Sequence, residues 1–160
     1  MRRTLVAIAL GSALVVAGCG GSGGESVPFD FSYETDSGTN SSAKIGSDPV
    51  ITYGNISFTG KGTLGTSPVD VALQAHVLFA DGTGPSGGYL TVTDAAGDEL
   101  LLQLVSQATA QGSGAVVEGD FTVVTGTGHW ANASGEGSGI GERGAELGAP
   151  VTWHVDLTLE

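Results

Sequence analysis

The chain has 160 residues, of which 28 are glycine, 40% are apolar and 14% are charged. Its 17 acidic residues outnumber its 5 basic ones, which gives a formal net charge of −12. The length suits one domain, the apolar runs argue against charge-driven disorder, and the glycines lack the three-residue period of collagen. Because phosphate contacts need Lys and Arg, the composition also disfavours nucleic acid as a partner.

The N-terminus has the pattern of a secretory signal. Arg2 and Arg3 precede an apolar stretch over residues 5–17, which is shorter than the roughly 20 residues that a membrane-spanning helix needs. The stretch runs into Gly18 and Cys19 in an order that resembles the lipobox of bacterial lipoproteins. The resemblance implies diacylglyceryl transfer to the Cys19 thiolate, cleavage after Gly18 and acylation of the new amino group. The alternative is an ordinary signal peptide in which the cysteine occurs by chance.

This interpretation divides the chain into three parts. Residues 1–18 are the signal peptide, residues 19–26 are the lipidated cysteine with a Gly/Ser tether, and residues 27–160 are one domain. We expect the mature protein in the bacterial cell envelope, outside the cytoplasm and anchored to a membrane by its N-terminal lipid. Because Cys19 is the only cysteine, the domain has no disulfide and depends on its core for stability. The polar residues 37–48 are expected to form a mobile loop.

Alternation of apolar and polar residues predicts β-strands through the domain. The pattern is strongest at residues 29–33, 69–79 and 151–159, and weaker at 50–59, 88–94, 99–108 and 115–125. The leucines of the 99–105 stretch also suit a helix. Turns are expected at Asp81-Gly82, Gly87-Gly88, Ala96-Gly97-Asp98 and 112–114. Seven or eight short strands predict an all-β fold, a single antiparallel barrel of about eight strands, with a β-sandwich as the alternative.

The segment from residue 126 to 137 reads GTGHWANASGEG. It is similar to a recurring bacterial pattern and to the Gly-Thr-Gly-x-Phe region of plant dirigent proteins and allene oxide cyclases, families that share an eight-stranded barrel. Trp130 stands where these families usually have Phe. We expect a hairpin in which Gly126, Gly128 and Gly135 free the backbone and Trp130 is a buried anchor. The catalytic acids of the plant families lie outside this segment, so no catalytic residue is carried over.

Two short motifs that often carry chemistry occur in contexts that do not support them. A G-x-S-x-G pattern occurs at residues 20–24 and 84–88, but neither lies between a buried strand and a helix. A G-x-G-x-x-G pattern occurs at residues 139–144, and no helix of useful length fits between it and Pro150. A glycine-rich chain produces such matches freely, so neither predicts an active site or a cofactor.

The histidines and the turn aspartates show no metal-binding pattern in their spacing. His76, His129 and His154 have no partner at a recognised ligand spacing, so no metal ligand is assigned. His76 and His154 fall on the polar faces of their predicted strands and are expected at the surface. Asp94 and Asp98 are expected in turns, where aspartate is favoured for backbone reasons.

Three functions remain open. The first, which we favour, is a lipid-anchored, non-enzymatic barrel that binds a small apolar ligand or an envelope component. The second is a cyclase or isomerase like the allene oxide cyclases, which would confine a reactive substrate in an apolar cavity. The third is a purely structural surface protein. An open cavity favours the first two functions, a carboxylate of raised pKa inside it favours the second, and a filled barrel favours the third.

Overall fold

Nine strands and one turn of 3-10 helix make up the computed structural model, which describes residues 24–35, 41–144 and 149–160. The strands are β1 (Glu25–Glu34), β2 (Ala43–Ile45), β3 (Ile51–Leu64), β4 (Ser67–Ala80), β5 (Gly84–Asp94), β6 (Glu99–Gln111), β7 (Gly114–Gly126), β8 (Gly135–Arg143) and β9 (Pro150–Leu159). The helical turn η1 (Gly128–Trp130) connects β7 to β8. None of the helical structure in these ranges has the length and hydropathy needed to cross a bilayer. The expected signal peptide, with Gly18 and Cys19, lies outside the described residues.

The strands form an up-and-down sheet that closes on itself. From β3 to β9, each strand pairs antiparallel with the next one along the chain. Strand β9 then pairs with β1, and β1 pairs with β3, which closes a barrel of eight strands. Strand β2 pairs only with the first residues of β3 in the described chain. The prediction of a single antiparallel barrel, rather than a sandwich, is confirmed.

Side-chain alternation places the apolar positions of each strand inside the barrel. On β4, Val71 and Leu73 point inward and are buried, whereas His76 points outward and is exposed. The leucine-rich stretch at 99–105 belongs to β6 and is not helical, because its inward positions, such as Leu102, recur at every second residue. The helical alternative for this stretch is therefore wrong.

The bounds of three expected features differ from the structure. The expected turn at Gly87-Gly88 is wrong, because both residues lie inside β5. A Cβ atom on Gly88 would collide with the carbonyl oxygen of Gln74 on β4, so close approach of the strands, and not a turn, requires glycine there. Strand β1 begins at Glu25, so the last two residues of the expected tether are paired in the barrel. The expected loop at 37–48 contains the short strand β2 in its described part.

Strand β8 is the one barrel strand in the described chain whose inward face carries no apolar series. Its inward positions are glycines, among them Gly139 and Gly141. A Cβ atom on Gly141 would lie 2.6 Å from Cε2 of Trp153, and one on Gly119 of β7 would lie 3.0 Å from Cη2 of the same indole. Glycine at these positions therefore leaves the space that the large Trp153 ring occupies.

Apolar side chains fill one half of the barrel interior. The largest of them, each less than 2% exposed, are Trp153, Phe29, Phe121, Leu90, Leu100, Leu102 and Leu157. Phe31 stacks on Trp153 with ring centroids 5.9 Å apart, and Phe121 meets the same ring edge-on at 5.4 Å. This packing reaches the filled end of the barrel, where β1 begins and β9 ends. The opposite end, where β1 ends and β9 begins, is called the open end below.

Candidate functional site

The interior beneath the open end is a cavity of about 570 Å³. Its walls are mainly apolar and include Phe58, Leu73, Val77, Leu104, Val117 and Val151. Val77, Ala108 and Ala115 are shielded from solvent but stand outside the packed core, because they border this hollow. The volume falls within the roughly 300–1,000 Å³ of typical small-molecule pockets. The barrel therefore has room for one small ligand.

A buried polar pair lies on the wall of the cavity. Trp153 is 1% exposed, and its indole N–H lies beside the Tyr33 hydroxyl without a hydrogen bond of good geometry to any described residue. Burial raises the pKa of the Tyr33 hydroxyl, while the neighbouring Trp153 indole and the charge of Arg143 offset part of that rise. Tyr33 is therefore a neutral phenol at neutral pH. A buried N–H without a well-formed hydrogen bond is destabilising, so a ligand that offers an acceptor here would improve the pairing of the indole.

Two serines form a second polar feature on the same wall. The hydroxyl oxygens of Ser86 and Ser106 are 2.8 Å apart, and the Ser106 hydroxyl donates to the Ser86 carbonyl oxygen at 3.0 Å. The Ser86 hydroxyl is then the donor to Ser106, so both hydroxyl protons are used. The G-x-S-x-G match at 84–88 is consequently part of strand β5, in which the serine bonds a neighbouring strand.

Three charged side chains reach the rim of the cavity. They are Lys44 on β2, Asp81 in the turn after β4, and Arg143 at the end of β8. Asp81 accepts a hydrogen bond from the Val50 backbone N–H at 2.8 Å, which holds the turn against β3. Among the described residues, neither Lys44 nor Arg143 forms an ion pair. The rim therefore presents two cations that form no ion pair with another described residue.

The Gly-Thr-Gly segment lies at the filled end, away from the cavity. Gly126 ends β7, Gly128 begins η1 with a φ of +53°, and Gly135 begins β8. Trp130 is half-buried and packs against the core, and no residue of η1 is fully buried. The expectation of a buried Trp130 anchor in a simple hairpin is corrected accordingly. The connection contains a helical turn, and the indole covers the end of the core from outside.

His129 lies beside two aspartates from the β5–β6 turn. Its Nδ1 is 2.7 Å from Oδ2 of Asp98 and 3.5 Å from Oδ2 of Asp94. Its backbone N–H also donates to Asp98, and these hydrogen bonds lower the pKa of Asp98 because they favour the carboxylate. Ligand atoms of the three residues lie within 4.8 Å of one another, so they are the described group that could hold a cation. The same contacts clamp η1 to the β5–β6 turn, which gives them a structural role without an ion.

The other two histidines lie on the outer surface, as predicted. The Nδ1 atom of His154 is 2.8 Å from Oδ1 of Asp30, which stands directly opposite it on β1. His76 is exposed on β4. None of the three histidines is among the residues that line the cavity.

Comparisons with protein-family models, with curated proteins and with solved structures found no match. The lipobox and the likeness of residues 126–137 to the plant families therefore stay predictions from the sequence. Trp153, Lys44 and Arg143 were not among the predicted site residues. Trp153 could have been singled out as the largest residue on the inward face of the 151–159 strand. The two cations could have been singled out because basic residues are so few.

Proposed function

We propose that this protein is a lipid-anchored, extracytoplasmic barrel that binds a small apolar ligand in the cavity beneath its open end. The observation that carries the proposal is a cavity of about 570 Å³ with mainly apolar walls, on which the indole N–H of Trp153 has no hydrogen bond of good geometry among the described residues. The anchor is supported by the lipobox that ends at Cys19. Two acyl chains or more would hold the protein stably at a membrane, where one chain gives only reversible binding.

Binding in this cavity follows from the chemistry of its walls. Aliphatic and aromatic side chains offer an apolar ligand a surface that water hydrates poorly, which favours transfer at about 25 cal/mol per Å² of apolar area buried. The Trp153 N–H and the neighbouring Tyr33 hydroxyl give orientation, because buried polar groups prefer a ligand that carries a matching hydrogen-bonding group. Eight-stranded barrels are just wide enough to hold one such molecule.

The two alternatives have less support. A purely structural barrel would be filled by its own side chains, whereas Val77, Ala108 and Ala115 border an open space. A cyclase would place an acid inside the cavity, yet Asp81, the carboxylate that lines it within the described residues, is exposed at the rim and bonded to the Val50 N–H. Ligand binding without covalent chemistry is therefore the function that the geometry supports best.

A cavity-filling substitution tests the proposal. The protein from residue 24 onward contains every strand of the barrel, so it can be studied without the signal peptide or the lipid. The neutral dye N-phenyl-1-naphthylamine, which fluoresces in apolar surroundings, is titrated into the wild-type barrel and into Ala108→Phe. We expect the new ring to occupy the hollow and to weaken dye binding at least tenfold, a loss of about 1.4 kcal/mol.

The control places the same ring on the outer face of the same strand. Val105→Phe lies at a position that is 61% exposed, so it should leave dye binding unchanged. Thermal unfolding of both variants checks that the barrel is intact. No dye binding by the wild type, or equal binding by Ala108→Phe, would refute the proposal.

A further inference from the structure

Basic side chains are unevenly placed on the described part of this acidic protein. Three are present, and two of them, Lys44 and Arg143, line the rim of the cavity. The third, Lys61, lies on the outer surface of β3, where its Nζ is 2.9 Å from Oδ1 of Asp70. The two rim cations form no such pair with any described carboxylate. The described part of this acidic chain thus places at the opening of the apolar cavity the two cations that pair with no described carboxylate.

The rim cations approach the opening from two sides. Lys44 belongs to β2, which extends the sheet from β3, and Arg143 ends β8. Strands β1 and β9 lie between β3 and β8 in the barrel, and Tyr33 stands on β1 near the rim. Arg143, Tyr33 and Trp153 all line this cavity, where burial raises the pKa of the Tyr33 hydroxyl and the charge of Arg143 offsets part of that rise. Asp81 adds one negative charge to the rim, and one of its oxygens is occupied by the Val50 N–H.

We propose that the ligand is an amphipathic anion whose carboxylate, sulfonate or phosphate group meets Lys44 and Arg143 while its apolar body extends down to Trp153. This inference rests on the proposed function and adds the chemical class of the ligand. Charge-assisted hydrogen bonds from ammonium and guanidinium groups are stronger than neutral ones and fix the orientation of an anion. Acidic side chains elsewhere on the surface repel anions. We therefore expect an anionic ligand to bind at this rim and not at other parts of the surface.

Two dyes that share one ring skeleton test the inference. N-phenyl-1-naphthylamine is neutral, and 8-anilinonaphthalene-1-sulfonate is the same skeleton with an added sulfonate. Both are titrated into the barrel and into Lys44→Gln, Arg143→Gln and the double variant. We expect the sulfonate to bind the wild type more tightly than the neutral dye. Each lost cation should weaken sulfonate binding by up to about fivefold, as expected for partly solvated charge pairs, and leave the neutral dye unaffected.

Lys61→Gln is the matched control, because it removes the same charge from the outer surface. It should leave the affinity for both dyes unchanged. If the neutral dye binds and the double variant retains full affinity for the sulfonate, the anionic class is refuted while the proposed function stands. If Lys61→Gln weakens sulfonate binding as much as the rim variants do, net charge and not the rim is responsible, which also refutes the inference. If neither dye binds the wild type, both proposals fail.

Discussion

Gly141→Ala adds one methyl group to the inward face of β8, where the Trp153 indole already occupies the space. The added Cβ atom would lie 2.6 Å from Cε2 and 2.8 Å from Cδ2 of that ring. Both distances are well below van der Waals contact, so the ring must move. Trp153 is stacked against Phe31 and meets Phe121 edge-on, so a shift of the ring, even towards the cavity that it lines, disturbs these aromatic contacts. Overpacking of this kind costs about 1–3 kcal/mol.

The sign of the effect makes this substitution informative. Replacing glycine with alanine usually stabilises a protein by about 0.4–1 kcal/mol where the backbone permits it, because the unfolded chain loses freedom. At Gly141 we expect the opposite, a fall in the free energy of unfolding of about 1–3 kcal/mol. In a domain of this size that lowers Tm by about 4 °C for each kcal/mol. Urea and thermal unfolding, followed by circular dichroism, measure the change.

Two comparisons isolate the cause of the loss. Ser138→Ala changes an outward position of the same strand and should alter stability by less than about 0.5 kcal/mol. Trp153→Phe replaces the indole with a smaller ring. Gly141→Ala should therefore lower the free energy of unfolding less in that background than in the wild type. A double-mutant cycle measures the difference. A neutral or stabilising effect of Gly141→Ala, or an equal cost in both backgrounds, would show that the glycine does not make room for the indole.

The remaining predictions concern the anchor and the clamp at the filled end. Cys19→Ser in the full chain should abolish incorporation of radiolabelled palmitate and release the protein from membranes, and equal labelling of the two proteins would exclude lipidation. His129 lowers the pKa of Asp98 in the folded state, so the stability from this contact is complete above the ordinary aspartate pKa and is lost as the pH falls through the lowered one. Asp98→Asn should therefore flatten the acid side of the stability profile, measured as urea midpoints from neutral to acid pH, and unchanged curvature would contradict this assignment.

The fold could be predicted where inward side chains carry the apolar signal. Strands β4 and β9 alternate apolar and polar residues over most of their length, and period two means one face inside and one outside. Strand β8 was not predicted because glycine occupies its inward positions, and the reason lies in Trp153, which is distant in the sequence. Gly88 suggested a turn in the sequence. Glycine is required there because the backbone of Gln74, which is also distant in the sequence, lies too close for a Cβ atom.

The candidate site was less predictable than the fold. An inward aliphatic residue has the same pattern whether it packs against others or borders a hollow, so the cavity has no signature in the alternation. The sign of the cavity in the sequence is the small size of some inward residues, such as Ala108 and Ala115. The contact of His129 with Asp98 joins two connections that are 31 residues apart, and no spacing rule covers such a distance. That a charged residue such as Lys44 lies at the rim of the cavity can be recognised only when the strand order is known.

The chain enters the barrel at the end opposite to the cavity. Strand β1 begins at Glu25, paired with Leu159, whereas the opening lies where β1 ends. A lipid on Cys19 would therefore tie the filled end towards the membrane and direct the opening towards the aqueous compartment. The proposed ligand would then enter the cavity from the aqueous compartment and not from the bilayer. If the proposed anionic ligand binds as we infer, its apolar end would enter first, and its acid group would stay at the opening, on the side of the barrel away from the lipid.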